Sequence, residues 1–233
     1  MAVITISRQY GSGGDEIASR VCDLLGYQHF DKRMIARATM EVGLSEQEIV
    51  DYSEENHKVR TFLDRLFGRQ TVVASTRIWK EDATGARSTE EIQLNEEAAL
   101  ALVQKAVRSA YRAGDLVIVG RAGQVILKDN PGVLHVRIEA PLEERIQRVK
   151  EQIRATRNLF HADIELRRDA QDLIIERDAA SIDYLSRFYR VNWEDPTLYH
   201  LVINSGKLSI EQSADLIAHM AKVIEPKEIH QQA

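Results

Sequence analysis

Five short apolar runs punctuate the chain: Val3–Ile6, Tyr27–Phe30, Leu116–Val119, Leu134–Ile138 and Leu201–Ile203. Most are β-branched and apolar on both faces, which is how strands of a buried parallel sheet read. Helical periods fill the spaces between them. Asp15 to Leu25 carries Ile17, Val21, Leu24 and Leu25 at helical spacing and stops at Gly26, a C′ glycine. Asn95 to Ala113 is rich in alanine and leucine and stops at Gly114. Pro141 opens a helix at its first turn in "APLEERIQRVKEQIRA". Ser209 with Gln212 makes a capping-box pattern at the head of "SIEQSADLIAHMAKVI". Alternating strands and helices predict an α/β domain with a five-stranded parallel sheet.

Two stretches break the alternation. Lys32 to Leu94 is too long for one crossover; within it "LSEQEIVDYSEE" reads as helix, with Ser45 and Glu48 as a second capping box. The polar tip "KEDATGARSTEE", residues 80–91, reads as a loop or a hairpin. Thr156 to Pro196 carries the long charged pattern "DIELRRDAQDLIIERDAASIDYLSRFYR". Each stretch is expected to form a lobe over the carboxyl ends of the strands, where ligands bind in open α/β sheets. The closing "PKEIHQQA" is expected to be loose.

Composition narrows the function classes. A net charge of −5 argues against general binding to nucleic acid or anionic membrane, but leaves room for a local basic pocket. No run approaches the roughly 20 apolar residues of a membrane span, and the chain enters "AVITIS" without a basic, apolar leader. Cys22 is the single cysteine, so no internal disulfide and no thiolate metal site exist. The seven histidines lack ligand spacing. These features point to a reducing, cytoplasmic protein.

Candidate chemistry begins at "SRQYGSGGDEIASR", residues 7–20. A strand, a glycine-rich turn and a helix start make an anion site, because backbone amides converge there and the helix dipole adds partial positive charge. Gly11, Gly13 and Gly14 permit positive φ and close approach, and Ser12 and Asp15 complete the cradle. The plain alternative is a tight strand–helix turn with no ligand. Laid on the phosphate-loop motif G-x-x-x-x-G-K-[ST], the lysine falls on Gly14, the Ser/Thr on Asp15 and the first glycine on Arg8. Arg8 can restore the missing charge by chelating phosphate oxygens, or it is a solvated loop arginine. Lys32 is another basic residue with that reach.

"VITISRQYGSGG", "HFDKRMIARA", "DLVIVGRAG", "VRIEAPLEERIQRV" and "YHLVINSGKLSIEQ" resemble, in order and spacing, the bacterial cytidylate kinases, and more closely the cytidylate kinase-like family. The likeness spans about residues 3–222. It implies a three-layer P-loop NTPase fold with a five-stranded parallel sheet, a monophosphate-binding lobe (about 33–95) and a helical lid (about 150–196). It also implies ATP, Mg²⁺ and small-molecule nucleotide substrates. By resemblance, Asp31 lies close to the reacting phosphates, Arg37 and Arg121 hold the acceptor, and Arg177 of "ERD" clamps the transferring phosphate. Asp31 is also a possible N-cap for the next helix. Arg145 and Arg148 match the basic face of the lid-bearing helix, with a solvated face as the alternative. Arg187 and Arg190 are further sources of lid charge.

The departures matter as much. Where cytidylate kinases carry an aspartate after "GR", this chain has Ala122, and Ser181 and Tyr184 stand at lid positions that hold polar nucleotide-recognition residues. CMP as the acceptor is therefore in doubt. Trp193 and Tyr189 of "RFYRVNWEDP" read as packing. The expectation is an ATP-dependent phosphotransferase acting on a nucleotide or other small phosphorylated acceptor. The alternative is a nucleotide-binding sensor that keeps the fold without transfer. Association of two copies into a homodimer is left open.

Overall fold

The computed structural model describes residues 2–30, 34, 72–81, 87–157 and 163–224. Five strands form one sheet: β1 (Val3–Arg8), β2 (Gln28–His29), β5 (Leu116–Val119), β6 (Val133–Glu139) and β7 (Leu201–Asn204), in the order β2-β5-β1-β6-β7. Every pairing is parallel, so all carboxyl ends face the same way. β3 (Val72–Glu81) and β4 (Arg87–Asn95) form a separate antiparallel pair, the pairing expected of a hairpin, and residues 82–86 between them lie outside the described residues.

The helices cover both faces. On one side lie α1 (Gly14–Leu25) and α6 (Ile210–Val223), which bury Ile17, Val21, Ala214 and Ile217 against Ile4, Ile6, Leu134 and Val136 of the sheet. On the other lie α2 (Glu96–Ala113), the short α3 (Gly123–Ile126) and the far end of α5 (Asp163–Tyr189), gathering Val103, Val107, Leu127, Tyr184 and Leu185 over Val3, Leu116 and Ile118. α4 (Leu142–Arg157) packs on α5 through Ile146, Val149, Ala170 and Ile174. The end signals behave as read: Gly26 caps α1 at φ 69°, and Ser209 with Gln212 closes both bonds of a capping box.

One expectation needs correcting. β1 and β6 are not apolar on both faces. The face toward α2, α3 and α5 carries buried Thr5, Ser7, His135 and Arg137, each with its partner in register: Thr5 beside His135 and Ser7 beside Arg137. Buried polar side chains must be satisfied, and these mostly satisfy one another. Thr5 Oγ1 lies 2.7 Å from His135 Nδ1. Trp193 Nε1 donates to Ser7 Oγ at 2.7 Å, and Arg137 Nη1 donates to the Trp193 carbonyl at 2.7 Å. The Arg137 guanidinium lies 4.4 Å from the Trp193 ring centroid and 5.6 Å from that of Tyr199. The segment after α5 is thereby fastened to the carboxyl ends of β1 and β6. Trp193 packs as read, 2% exposed in the core.

Candidate active site

The site grows from the turn between β1 and α1. Gly11 and Gly13 both adopt φ 77°, the left-handed region that favours glycine. A Cβ at Gly11 would stand 2.8 Å from Val149 Cγ2, and one at Gly13 would stand 2.9 Å from Ile210 Cδ1. Gly14 differs from the sequence expectation: it is the first residue of α1, without a positive φ, so its need for glycine is spatial rather than conformational.

Five successive carbonyls of this turn are engaged. The Gln9 carbonyl accepts from Ser12 N at 3.1 Å, and the Gly13 carbonyl from Ile17 N at 3.0 Å. Arg145 Nη1 donates to the Tyr10 carbonyl at 3.3 Å, and Arg148 Nη1 to the Gly11 carbonyl at 3.5 Å. Ser205 Oγ, from the loop after β7, donates to the Ser12 carbonyl. Tyr10 N and Ser12 N are bonded within the protein, to Asp178 and to Gln9, and the amides of Gly11 and of Gly13 to Asp15 have no backbone partner among the described residues, the arrangement of an anion nest. No side chain caps the start of α1. The Ser12 hydroxyl is fully buried and has no hydrogen-bond partner among the described residues.

Arg145 and Arg148 are therefore not a solvated face. Arg145 is 8% exposed and pairs with Asp178 of α5 at 2.5 Å, while Asp178 Oδ1 accepts from Tyr10 N at 2.9 Å. One carboxylate thus ties the loop, α4 and α5 together. Arg148 Nη2 donates to the Ser205 carbonyl at 2.8 Å, bridging the loop to the turn before α6. Asp178 and Ser205 escaped sequence reasoning. The available signal for Asp178 was its place beside Arg177 in "ERD"; Ser205 lies more than 190 residues from its partner Ser12 and gave none.

The other candidates fall as follows. Arg8 ends β1, and its Nη2 lies 3.2 Å from the Asp15 carboxylate in the first turn of α1. Arg177 projects from α5 with its guanidinium 5.9 Å from the Tyr10 ring centroid, which brings it to the same loop. Arg121 follows β5, whose end is tied to β1 by Gly120 N donating to the Ile6 carbonyl at 2.9 Å. Arg121 and Ala122 adopt φ 60° and 53°, two successive left-handed residues without glycine, a strain that clusters at functional sites. Asp31, Lys32 and Arg37, and the Ser45–Glu48 capping pattern, lie outside the described residues. Among the described residues no group of three or more His, Cys, Asp or Glu is placed to hold a metal ion.

Ala122 and Tyr184 belong to the same buried core cluster as Phe30, and both are fully buried. Two of the positions that depart from the cytidylate kinase pattern thus share one environment.

Comparison with known proteins agrees with this geometry. Residues 3–207 match the model of the cytidylate kinase-like family. The cytidylate kinase of Methanocaldococcus jannaschii is 23% identical over 220 residues, covering 93% of this chain and 95% of that protein. An uncharacterized protein from Eubacterium ventriosum shares the fold at a TM-score of 0.58 and 17% identity, covering 95% of this chain and 99% of the other. The shikimate kinase of Acinetobacter baumannii, at a TM-score of 0.44 and 15% identity over 96% of this chain and 94% of its own, is too distant to carry an argument.

Proposed function

The chain belongs to the cytidylate kinase-like family, and from that premise we propose that it moves the γ-phosphoryl group of ATP to a nucleotide or other small phosphorylated acceptor. The observation that carries the reading is the turn after β1, whose five carbonyls are all engaged while the amides of Gly11 and of Gly13 to Asp15 have no backbone partner among the described residues. Phosphoryl transfer asks little covalent chemistry of the protein and much positioning and charge stabilisation. The loop amides bind the donor's β-phosphate. Arg121, just after β5, orients the acceptor phosphate, with Arg37 proposed as its partner. Arg177 arrives from α5 against Tyr10 and holds charge on the moving group, while α4 and α5 exclude water. The acceptor is already a phosphate, so no general base is required.

Mg²⁺ belongs to this reading. Hard cations take oxygen ligands, and the exposed Asp15 carboxylate and the buried, unpartnered Ser12 hydroxyl fit that donor set. When bound, the ion neutralises charge on the phosphate oxygens. Asp31 is the further carboxylate proposed for its outer shell.

The acceptor is not read as cytidine is. Ala122 offers no carboxylate, and Tyr184 is buried in the same core cluster. On this reading residues of about 33–95 bind the acceptor, residues of about 150–196 act as lid, and the protein works in the cytoplasm on small-molecule nucleotides. Among the described residues no helix is long and apolar enough to cross a membrane.

The test is a thermal-shift and turnover panel. ATP at 100 times its dissociation constant should add about 2.7 kcal/mol of stability, and ADP should form with one member of a panel of phosphorylated acceptors. No stabilisation by any nucleoside triphosphate would end the reading. The lysine-free loop favours the sensor alternative, which gains if ATP binds and no acceptor yields ADP.

A further inference from the structure

We propose that Arg8 and Gly14 are a reciprocal exchange of the phosphate-loop pair, one space holding one side chain, so that the lysine's charge enters from the strand instead of the helix. The inference rests on the kinase reading and assigns the residue that grips the donor's outer phosphates.

The geometry is steric before it is electrostatic. A Cβ built on Gly14 would lie 2.6 Å from Arg8 Cβ, 2.7 Å from its Cγ and 3.4 Å from its Cδ. The first two separations are far inside van der Waals contact, and the first atom belongs to the rigid root of the side chain. A side chain at 14 therefore requires that position 8 have none. The motif G-x-x-x-x-G-K-[ST] meets that condition with glycine at the first place and lysine at the seventh. This chain meets it the other way round, with Arg8 first and Gly14 seventh.

The displaced cation still reaches the same place. From the end of β1 the Arg8 side chain crosses Gly14, and its Nη2 lies 3.2 Å from Asp15, which occupies the motif's Ser/Thr position. The guanidinium thus lies over the first turn of α1, where the loop amides begin. Of the other described arginines at the loop, Arg145 is committed to Asp178 and the Tyr10 carbonyl and Arg148 to Ser205 and the Gly11 carbonyl, while Arg177 approaches from α5 over the Tyr10 ring. An arginine forked onto phosphate oxygens does chemically what the lysine does as a point charge. Its ion pair with Asp15 is solvent-exposed on the carboxylate side, and such pairs are weak, so a polyphosphate can take the guanidinium over.

Calorimetric titration with ATP and with AMP, alongside melting curves, tests the exchange in three variants. Arg8→Met keeps bulk over Gly14 and removes only the charge. It should weaken ATP about tenfold or more, leave AMP within about threefold and leave Tm unchanged. Gly14→Lys alone should lower Tm. Arg8→Gly with Gly14→Lys should regain both Tm and ATP affinity, a coupling that a double-mutant cycle isolates. An Arg8→Met protein that binds ATP as the wild type does would overturn the proposal while leaving the kinase reading intact. A Gly14→Lys protein with unchanged Tm would overturn the shared space. A wild-type protein that binds no nucleoside triphosphate would overturn the kinase reading, and the exchange with it.

Discussion

At the scale of single residues, the partly buried Asp178 and the buried His135 carry the measurable consequences. Asp178 accepts from Tyr10 N and pairs with Arg145. Asp178→Ala strands a nearly buried guanidinium and should cost about 3 kcal/mol, seen as a fall of about 10 °C in Tm, with turnover falling further because the loop loses its tie to α5. A variant whose Tm holds would show the pair to be dispensable. His135 works through pH. Burial, with the charge of His200 a smaller cause, holds its pKa down to about 4 from the ordinary 6.5. The unfolded chain takes its proton near 6.5 and the folded protein resists until about 4. The stability is therefore intact above the unfolded value and drains as pH falls between the two, by about 3 kcal/mol in all. Denaturant melts at pH 7.5 and 5 should show the loss, and His135→Gln should flatten it. Arg121→Ala belongs here too: it should lower turnover by about two decades with little change in Tm, and the reverse pattern would mark a structural arginine.

At the scale of elements, the strands and helices were legible because their determinants are local. Gly26, Pro141 and the Ser209–Gln212 pair mark ends that the folded chain respects. Ser209→Ala should cost about 1 kcal/mol, a few degrees in Tm. What could not be read was the company each side chain keeps. Arg145 and Arg148 sit on a helix that looks evenly charged, and their partners lie on a turn more than 130 residues earlier. Arg137, Trp193 and Ser7 come together only because a parallel sheet sets β1 beside β6 and the chain returns after α5. The loop itself is legible as a glycine turn between a strand and a helix, whereas Gly14 differs from its expectation, because a helical glycine kept for space looks the same in sequence as one kept for its angles.

At the scale of the whole molecule, the sheet divides two kinds of interior. The face under α1 and α6 is apolar throughout its core cluster, while the opposite face threads a polar ladder from Thr5–His135 to Ser7–Arg137. The ladder ends at the carboxyl edge, where α5, the glycine turn and the Trp193 segment are tied together. On the same side of the sheet, Ala122, Tyr184 and Phe30 belong to one buried hydrophobic cluster. Ala122→Asp, which restores the residue that the resemblance to cytidylate kinases implies, would bury a carboxylate in a hydrophobic cluster. It should cost at least about 3 kcal/mol without conferring turnover of CMP. A stable Ala122→Asp enzyme that phosphorylates CMP would show that the pocket differs from its pyrimidine-specific relatives by one residue alone.

The contact between Arg8 and Gly14 also bears on ancestry. If one space admits one side chain, a lineage moving between the two loop arrangements has a single passable route. An ancestor with both side chains is barred by collision, so descent must run through glycine at both positions, an intermediate that folds yet has lost its cation. Each arrangement is then a separate adaptive peak divided by a valley of weak donor binding. Relatives compared at these two positions should carry one side chain or neither, and never both.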